Sequence, residues 1–495
     1  MRGEGMDSMT ERGSAVVTMS LMAGIAAVAC VYATLFQEAY SGFAPIWSDE
    51  YVYVANARSF FENTRLHDAY ILKETASAVG GFGGHGFAYN LLHGAIAKCV
   101  GFHVENLLLT NTALLLLALA LIGAQRSLSL TQKSVCILLL LLNLVPVLYT
   151  FSCMQEALHL LFGVAAGLLL WRMWAADNPR RCVAIYFALL FVATLFRPSW
   201  WLWSIGLLPL ARTGKERAIY AAALLGGMLG AWALFHWCAP VPYASFAQKV
   251  VRLQDAAAIA QAMYAHFARS VYRYFATEYE YGAAYFVSKY LLVIGTYYAL
   301  SRGRARKNRL LLAAGVIGLA NLLFLFTVFD AFDWRGHRML APVMCLLGIV
   351  IASERQWTAA AVALICLGAL FPSAVRQSEE WIAQRNAVAD AFRGSSALAA
   401  EFNAIAAVIP DPRLTTVLAS RAFFQNNDMH PLLLPVRSTR GYPIRYTFNK
   451  YGADLQMHRP GFVDYVLAPE ALSLTNASEV LRQPAFHLYR VAGRR

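Results

Sequence analysis

Apolar runs of about 20 residues, separated by short polar turns, recur along this chain as far as residue 373. A helix needs about 20 such residues to cross the hydrocarbon core of a bilayer. By that measure there are about eleven candidate spans, at 15–37, 106–124, 134–150, 155–173, 182–197, 199–211, 218–237, 285–300, 310–329, 338–353 and 357–373. The fifth and sixth are short and split by Arg197-Pro198, which fits a pair of short helices or one broken helix. The first run lacks a small-residue cleavage site, so it reads as a retained membrane helix. Beyond residue 373 the pattern changes. Residues 376–408 read as one or two amphipathic helices; LTTVLAS, PLLLPV, FVDYVLAP and AFHLYRVAG read as short strands, with EALSLTNASEVLRQ as a helix between the last two. The expected architecture is mostly α: a polytopic transmembrane helical bundle at 1–373, with amphipathic helices in a first outer loop at 38–105, then a small extracytoplasmic α/β domain at 374–495.

Composition agrees. Of 495 residues, 58% are hydrophobic and 14% charged, against about 25% charged in soluble domains. The net charge of +13 would raise the question of nucleic acid in a soluble protein. Here much of the positive charge lies in short turns between apolar runs, where it orients a membrane protein, and nucleic acid is not an expected partner. The eight cysteines are scattered, none at metal-ligand spacing, and residues 374–495 have none to cross-link.

The basic turns fix an expected topology. Arg126 and Lys133, then Arg172, Arg180 and Arg181, then Arg212, Lys215 and Arg217, then RGRARKNR at 302–309, then Arg355 all fall on one side when the N-terminus is cytoplasmic. The opposite side then carries the loop at 38–105, the turn FSCMQE at 151–156, the turn at Arg197-Pro198, the loop at 238–284, the turn DAFDWRGHR at 330–338 and everything after 373.

The notable polar residues gather on that outer side. In WSDEYVYVANARSFFE, Ser48 or Asp49 can cap a helix. Asp49 and Glu50 are then either first-turn acids that favour the helix dipole or groups with a use, since two adjacent acids beside an apolar span are costly unless solvated or employed. An ionised carboxylate at a helix start suits a general base. Glu156 opens a membrane helix, where an ionisable group is a functional candidate by default. Arg197, Arg335, His337 and Arg338 lie in outer turns, against the orienting charge bias. Arginine's planar fork suits phosphate; the alternatives are snorkelling or salt bridges to Asp330 or Asp333. His85, Tyr53, Lys289 and Arg273 are further candidates, with Glu156, to line a cavity or hold an acceptor. The glycines of VGGFGGHGF form no nucleotide-binding loop, because no strand precedes them and no Gly-Lys-Ser/Thr follows.

A carboxylate at a helix start, several arginines and an apolar groove suggest group transfer from a lipid phosphate to a hydroxyl. In order, WSDEYVYVANARSFFE after the first span, HGFAYNLLHGAIAKCVGF before the second, Glu156, FRPSWWL and RGHRMLAPVMCLL resemble the C-type (GT-C) membrane glycosyltransferases. That superfamily includes protein O-mannosyltransferases, the lipid A aminoarabinose transferase and bacterial enzymes grouped with rhizobial galacturonosyltransferases. The resemblance covers residues 15–373 in general layout and implies an inverting enzyme of the bacterial inner membrane. It implies a polyprenyl-phosphate sugar donor, used on the outer face. It places the base at Asp49, with Glu50 as the neighbour able to substitute, and the leaving phosphate among Arg197, Arg335, His337 and Arg338. Some members hold a divalent metal in this cavity; the spacing here specifies none. GGFGGHGF lacks the Lys-Pro-Pro or His-Gly-Pro pattern common at that turn in relatives, so no donor-binding role carries over to Lys73, Glu74, His85 or His93. The acceptor is a glycolipid, a surface polysaccharide or a protein, the first two favoured by analogy. Two other classes fit a lipid groove: a transporter or flippase of lipid-linked sugars, and a non-catalytic assembly partner in which the first-loop acids tolerate substitution.

Overall fold

The computed structural model describes residues 4–65, 69–71, 87–176, 179–238, 255–276, 282–328, 334–410, 415–420, 422–425, 431–448, 463–474 and 476–492. Helices dominate, as the apolar pattern requires: in lipid a backbone must satisfy its own hydrogen bonds. They are α1 (Glu4–Ser41), α2 (Ser48–Asn63), α3 (Ala88–Val100), α4 (Glu105–Gly123), α5 (Leu130–Leu141), α6 (Leu144–Tyr149), α7 (Glu156–Ala175), α8 (Arg180–Phe196), α9 (Leu207–Leu210), α10 (Gly214–Cys238), α11 (Ala256–Ala276), α12 (Gly282–Ala305), α13 (Arg309–Val328), α14 (Trp334–Ser353), α15 (Trp357–Arg393), α16 (Ser396–Val408) and α17 (Ala422–Gln425). The apolar segments read from the sequence all fall on helical stretches. Among the described residues, 6 helices are long and apolar enough to cross a membrane: α1, α4, α7, α10, α13 and α15. The protein is integral to a membrane.

Two segments depart from a simple span. The run at 134–150 is broken where Asn143 leaves the helix and caps α6, its side chain accepting from the Val145 amide at 3.0 Å. The run at 199–211 is a 3₁₀ helix, Pro198–Gly206, followed by the four-residue α9. Proline at its start and tryptophans packed inward favour this tighter winding over a spanning α-helix.

The bundle has two chemically distinct ends. At one, the basic turns interlock: Arg172 donates to Gln125 at 3.0 Å, Arg212 to the Ala176 carbonyl, Arg309 to the Ala211 carbonyl at 3.4 Å, and Gln132 to the Ser353 carbonyl at 3.0 Å. α7 leaves this end about 30 Å from its first residue, at 1.5 Å per residue. At the other end lie α2, the turn 150–155 and the start of α14.

Among the described residues the C-terminal part holds a six-stranded sheet of order β1-β3-β2-β4-β6-β5. Its strands are β1 (Tyr70–Ile71), β2 (Thr415–Ala419), β3 (Ile444–Phe448), β4 (Tyr465–Ala468), β5 (Ala477–Gln483) and β6 (Phe486–Val491). β1 belongs to the first long loop and pairs parallel with β3, Tyr70 opposite Tyr446. Two expectations are corrected here. PLLLPV is not a strand but a 3₁₀ turn at Pro431–Leu433. The segment expected as a helix in EALSLTNASEVLRQ forms β5, antiparallel to β6. Ile444–Phe448, which the sequence pattern does not mark, is a fully buried strand between β1 and β2. α15 runs unbroken through Pro372 from the bundle to the sheet region, so one rigid helix joins the two.

Candidate active site

α2 begins at Ser48, with Trp47 in the capping position. The capping position thus falls one residue before Ser48, whose side chain lies outside the described residues, and Glu50 reaches back one turn. Its Oε2 accepts from the amides of Ile46 and Trp47 at 2.9 and 3.1 Å. Successive helical residues point about 100° apart, so Asp49 and Glu50 face different surroundings. Glu50 is fully buried, and its Oε1 accepts from the Cys153 amide at 2.7 Å. Arg385 of α15 donates to its Oε2 at 2.8 Å.

Asp49 turns toward α14. Its Oδ2 lies 3.1 Å from Nη2 of Arg338, and both side chains keep partial exposure, 19% and 12%. Arg338 Nε is 3.3 Å from Glu156 Oε1, and Arg197 Nη2 is 3.6 Å from the same oxygen. The result is a chain of alternating charge, Asp49–Arg338–Glu156–Arg197, drawn from α2, α14, α7 and the break after α8. The Arg338 guanidinium also lies 5.9 Å from the Tyr149 ring centroid.

The turn that presents Glu156 is held from three sides. Tyr89 of α3 donates to the carbonyls of Cys153 and Met154 at 3.1 Å each. Asn111 of α4 donates to the carbonyls of Ser152 and Met154 at 2.7 and 2.9 Å. Gln155 donates to the Tyr53 hydroxyl at 2.9 Å. Tyr53 sits one turn beyond Asp49 and is buried. Burial pushes its phenol well above the usual range, and the nearby Asp49 and Glu156 charges add to this. It therefore acts as a neutral hydrogen-bonding group.

One turn into α7, His159 is buried and accepts from Trp200 Nε1 at its Nδ1, 2.9 Å away. That contact leaves the ring proton on Nε2. Contacts Glu156–Arg197 and His159–Trp200 run in parallel, each spaced by three residues, and dock the 3₁₀ segment along α7.

The other candidates separate. His337 lies beside Arg338 in sequence but bonds to Ser288 Oγ at 2.8 Å and Tyr274 Oη at 3.2 Å. Lys289 is buried and donates to the Tyr274 carbonyl. Together with Ser288 they form a second polar cluster between α11, α12 and α14. Arg273 is exposed on α11. His85 and the Arg335 side chain lie outside the described residues. The sequence reading missed Arg385, Gln155, Asn111 and His159; only a buried polar position on an apolar helix face marks the last two.

Among the described residues no three His, Cys, Asp or Glu side chains gather to hold a metal ion, and Arg338 occupies the space between the two carboxylates.

No known protein-family profile matches this chain, and no curated protein matches it in sequence. Solved structures do. ArnT from Cupriavidus metallidurans bound to undecaprenyl phosphate aligns with 94% of this chain and 97% of its own, at 12% identity and a TM-score of 0.53. The chain has the fold of ArnT. The apo-state ArnT structure aligns with 95% of this chain and 98% of its own, at 12% identity and a TM-score of 0.49.

Proposed function

We propose that this protein is an inverting membrane glycosyltransferase that moves a sugar from a polyprenyl phosphate to an acceptor hydroxyl. The observation that carries this reading is the chain Asp49–Arg338–Glu156–Arg197 at the end of the bundle opposite its basic turns. The ArnT fold, crystallised elsewhere with undecaprenyl phosphate, supports the choice of lipid. The charge bias of the turns supports an N-terminus in the bacterial cytoplasm and chemistry on the outer face. The division into a catalytic module at 1–373 and an outer domain at 374–495 belongs to the same proposal.

In the proposed reaction Asp49 takes the proton of the acceptor hydroxyl. That oxygen attacks the anomeric carbon as the carbon–oxygen bond to phosphate breaks, and the bonding electron pair leaves with the polyprenyl phosphate. In-line displacement inverts the anomeric centre. Arg338 and Arg197 face the phosphate and stabilise its charge, as a preorganised electrostatic clamp does. Without donor, Arg338 is shared between Asp49 and Glu156. An arriving phosphate competes for the guanidinium and frees Asp49 to act as a base. Glycolipid or surface-polysaccharide hydroxyls are the acceptors we favour. Glu50, with its oxygens engaged, is assigned no proton-transfer role.

The test is Asp49→Asn in full-length protein reconstituted in lipid. Undecaprenyl phosphate should still bind within a few-fold, while transfer from undecaprenyl-phosphate-linked sugars falls at least ~100-fold, as for loss of a general base. Full activity in the variant would remove Asp49 from the mechanism. Lipid movement across the bilayer without transfer in the wild type would replace the enzyme reading with a transporter.

A further inference from the structure

We infer that Glu50 and Arg385 form a buried latch that positions Asp49 against Arg338, and so act on the reaction without touching its substrates. The functional part rests on the transfer reading above; the geometric part does not.

Glu50 joins three elements through one carboxylate. It closes the start of α2 through the Ile46 and Trp47 amides. It holds the turn before α7 through Cys153, three residues ahead of Glu156. It meets α15 through Arg385, with side-chain exposures of 1% for Arg385 and 0% for Glu50. Arg385 is itself fixed. Its Nη1 also donates to the Ala44 carbonyl at 3.1 Å, and its guanidinium lies 4.8 Å from the Trp47 ring and 5.7 Å from that of Phe43.

These contacts close a ring. From Asp49 the backbone leads to Glu50, then by hydrogen bond to Cys153, along the turn to Glu156, across to Arg338 and back to Asp49. The separation of the two site carboxylates is therefore set by Glu50 gripping Cys153, and Arg385 sets where Glu50 lies. A buried ion pair is a poor way to gain stability, because desolvation offsets its attraction. Its value here is geometric: a carboxylate can accept from several elements at once, and no apolar side chain can.

The experiment separates positioning from stability. Arg385→Met strands the Glu50 charge, and misfolding is a risk, so Arg385→Lys and the charge-free double variant Glu50→Gln/Arg385→Met accompany it. Activity is read with undecaprenyl-phosphate-linked sugars. The latch predicts that the double variant melts near the wild type, yet its kcat falls about 100-fold with the donor KM within about threefold, as expected for a site displaced by about 1 Å. Arg385→Lys should recover at least about tenfold of that loss. A double variant that regains both melting temperature and kcat overturns the proposal. The second readout is maleimide labelling of Cys153, buried in the native protein, with the other cysteines replaced. It should be protected with the latch intact and labelled in the double variant; equal protection overturns the latch even if the wild type transfers no sugar. Absence of transfer by the wild type with a responsive Cys153 overturns only the transfer reading.

Discussion

Arg338 is the residue on which the charge chain turns. Replaced by glutamine, it would leave Glu156, almost fully buried, with the 3.6 Å contact to Arg197 as its remaining ion pair among the described residues. Arg338→Gln should lower the melting temperature by the equivalent of about 1–3 kcal/mol, less than a wholly uncompensated buried charge costs, and scanning calorimetry in detergent checks it. His93 of α3 sets a different limit. It is buried against the Tyr89 ring, centroids 4.3 Å apart, with neither ring nitrogen hydrogen-bonded among the described residues. Burial lowers its pKa to about 3, whereas the unfolded chain protonates near the ordinary value of about 6.5. Between those values the unfolded state binds the extra proton, so stability should fall as pH drops from about 6.5 toward 3, by a few kcal/mol at most. A His93→Leu protein should show a flatter melting temperature between pH 7 and pH 4. At this scale the sequence was half legible. The adjacency of Asp49 and Glu50 marks the candidate site, but one residue of helix rotation gives the first a partly buried arginine and the second a fully buried one. Arg385 sits among Arg376, Glu379 and Glu380 in what reads as an outer amphipathic helix, and nothing in its neighbours marks it as the buried member.

Among the elements, the α7–α14 pair carries Glu156 and Arg338 and packs through glycine. A Cβ on Gly163 would lie 2.9 Å from the Pro342 Cα, and one on Gly167 3.1 Å from the Ile349 side chain. Small residues four apart let two membrane helices approach closely. Gly163→Leu must push the backbones apart, with a cost of about 1–3 kcal/mol or more for overpacking. The expected result is a lower melting temperature together with weaker undecaprenyl phosphate binding. Helices were legible because their apolar runs are continuous and local. Strands were less so. ASEVLRQ is rich in good helix formers, yet β6 gives it a partner and it becomes the exposed edge β5. Tyr70–Ile71 is two residues long among the described residues and is a strand because β3 lies beside it. The PLLLPV run is apolar but bounded by prolines, which removes the amides a ladder needs.

Taken whole, the molecule ties its first long loop to its last quarter. Arg58 donates to the Leu432 carbonyl at 2.7 Å, Asn63 to that of Val436 at 3.1 Å, and the Tyr446 amide to that of Ala69 at 2.6 Å. A chain ending after Val408 should keep its membrane helices but show faster hydrogen exchange across the second half of α2 and residues 69–71; unchanged exchange would mean that the sheet does not support the loop. The same pairing bears on biosynthesis. Arg58 and Leu432 are 374 residues apart in sequence, a contact of very high order for which loop closure is slow. At ~5–20 residues per second of synthesis, roughly 20–75 s separate their emergence from the ribosome. All six long apolar helices are made before β3 exists. The nascent chain is thus inserted before β1 has its β3 partner, and the second half of α2 gains its contacts with the last quarter only afterwards, a built-in delay between membrane integration and a finished fold.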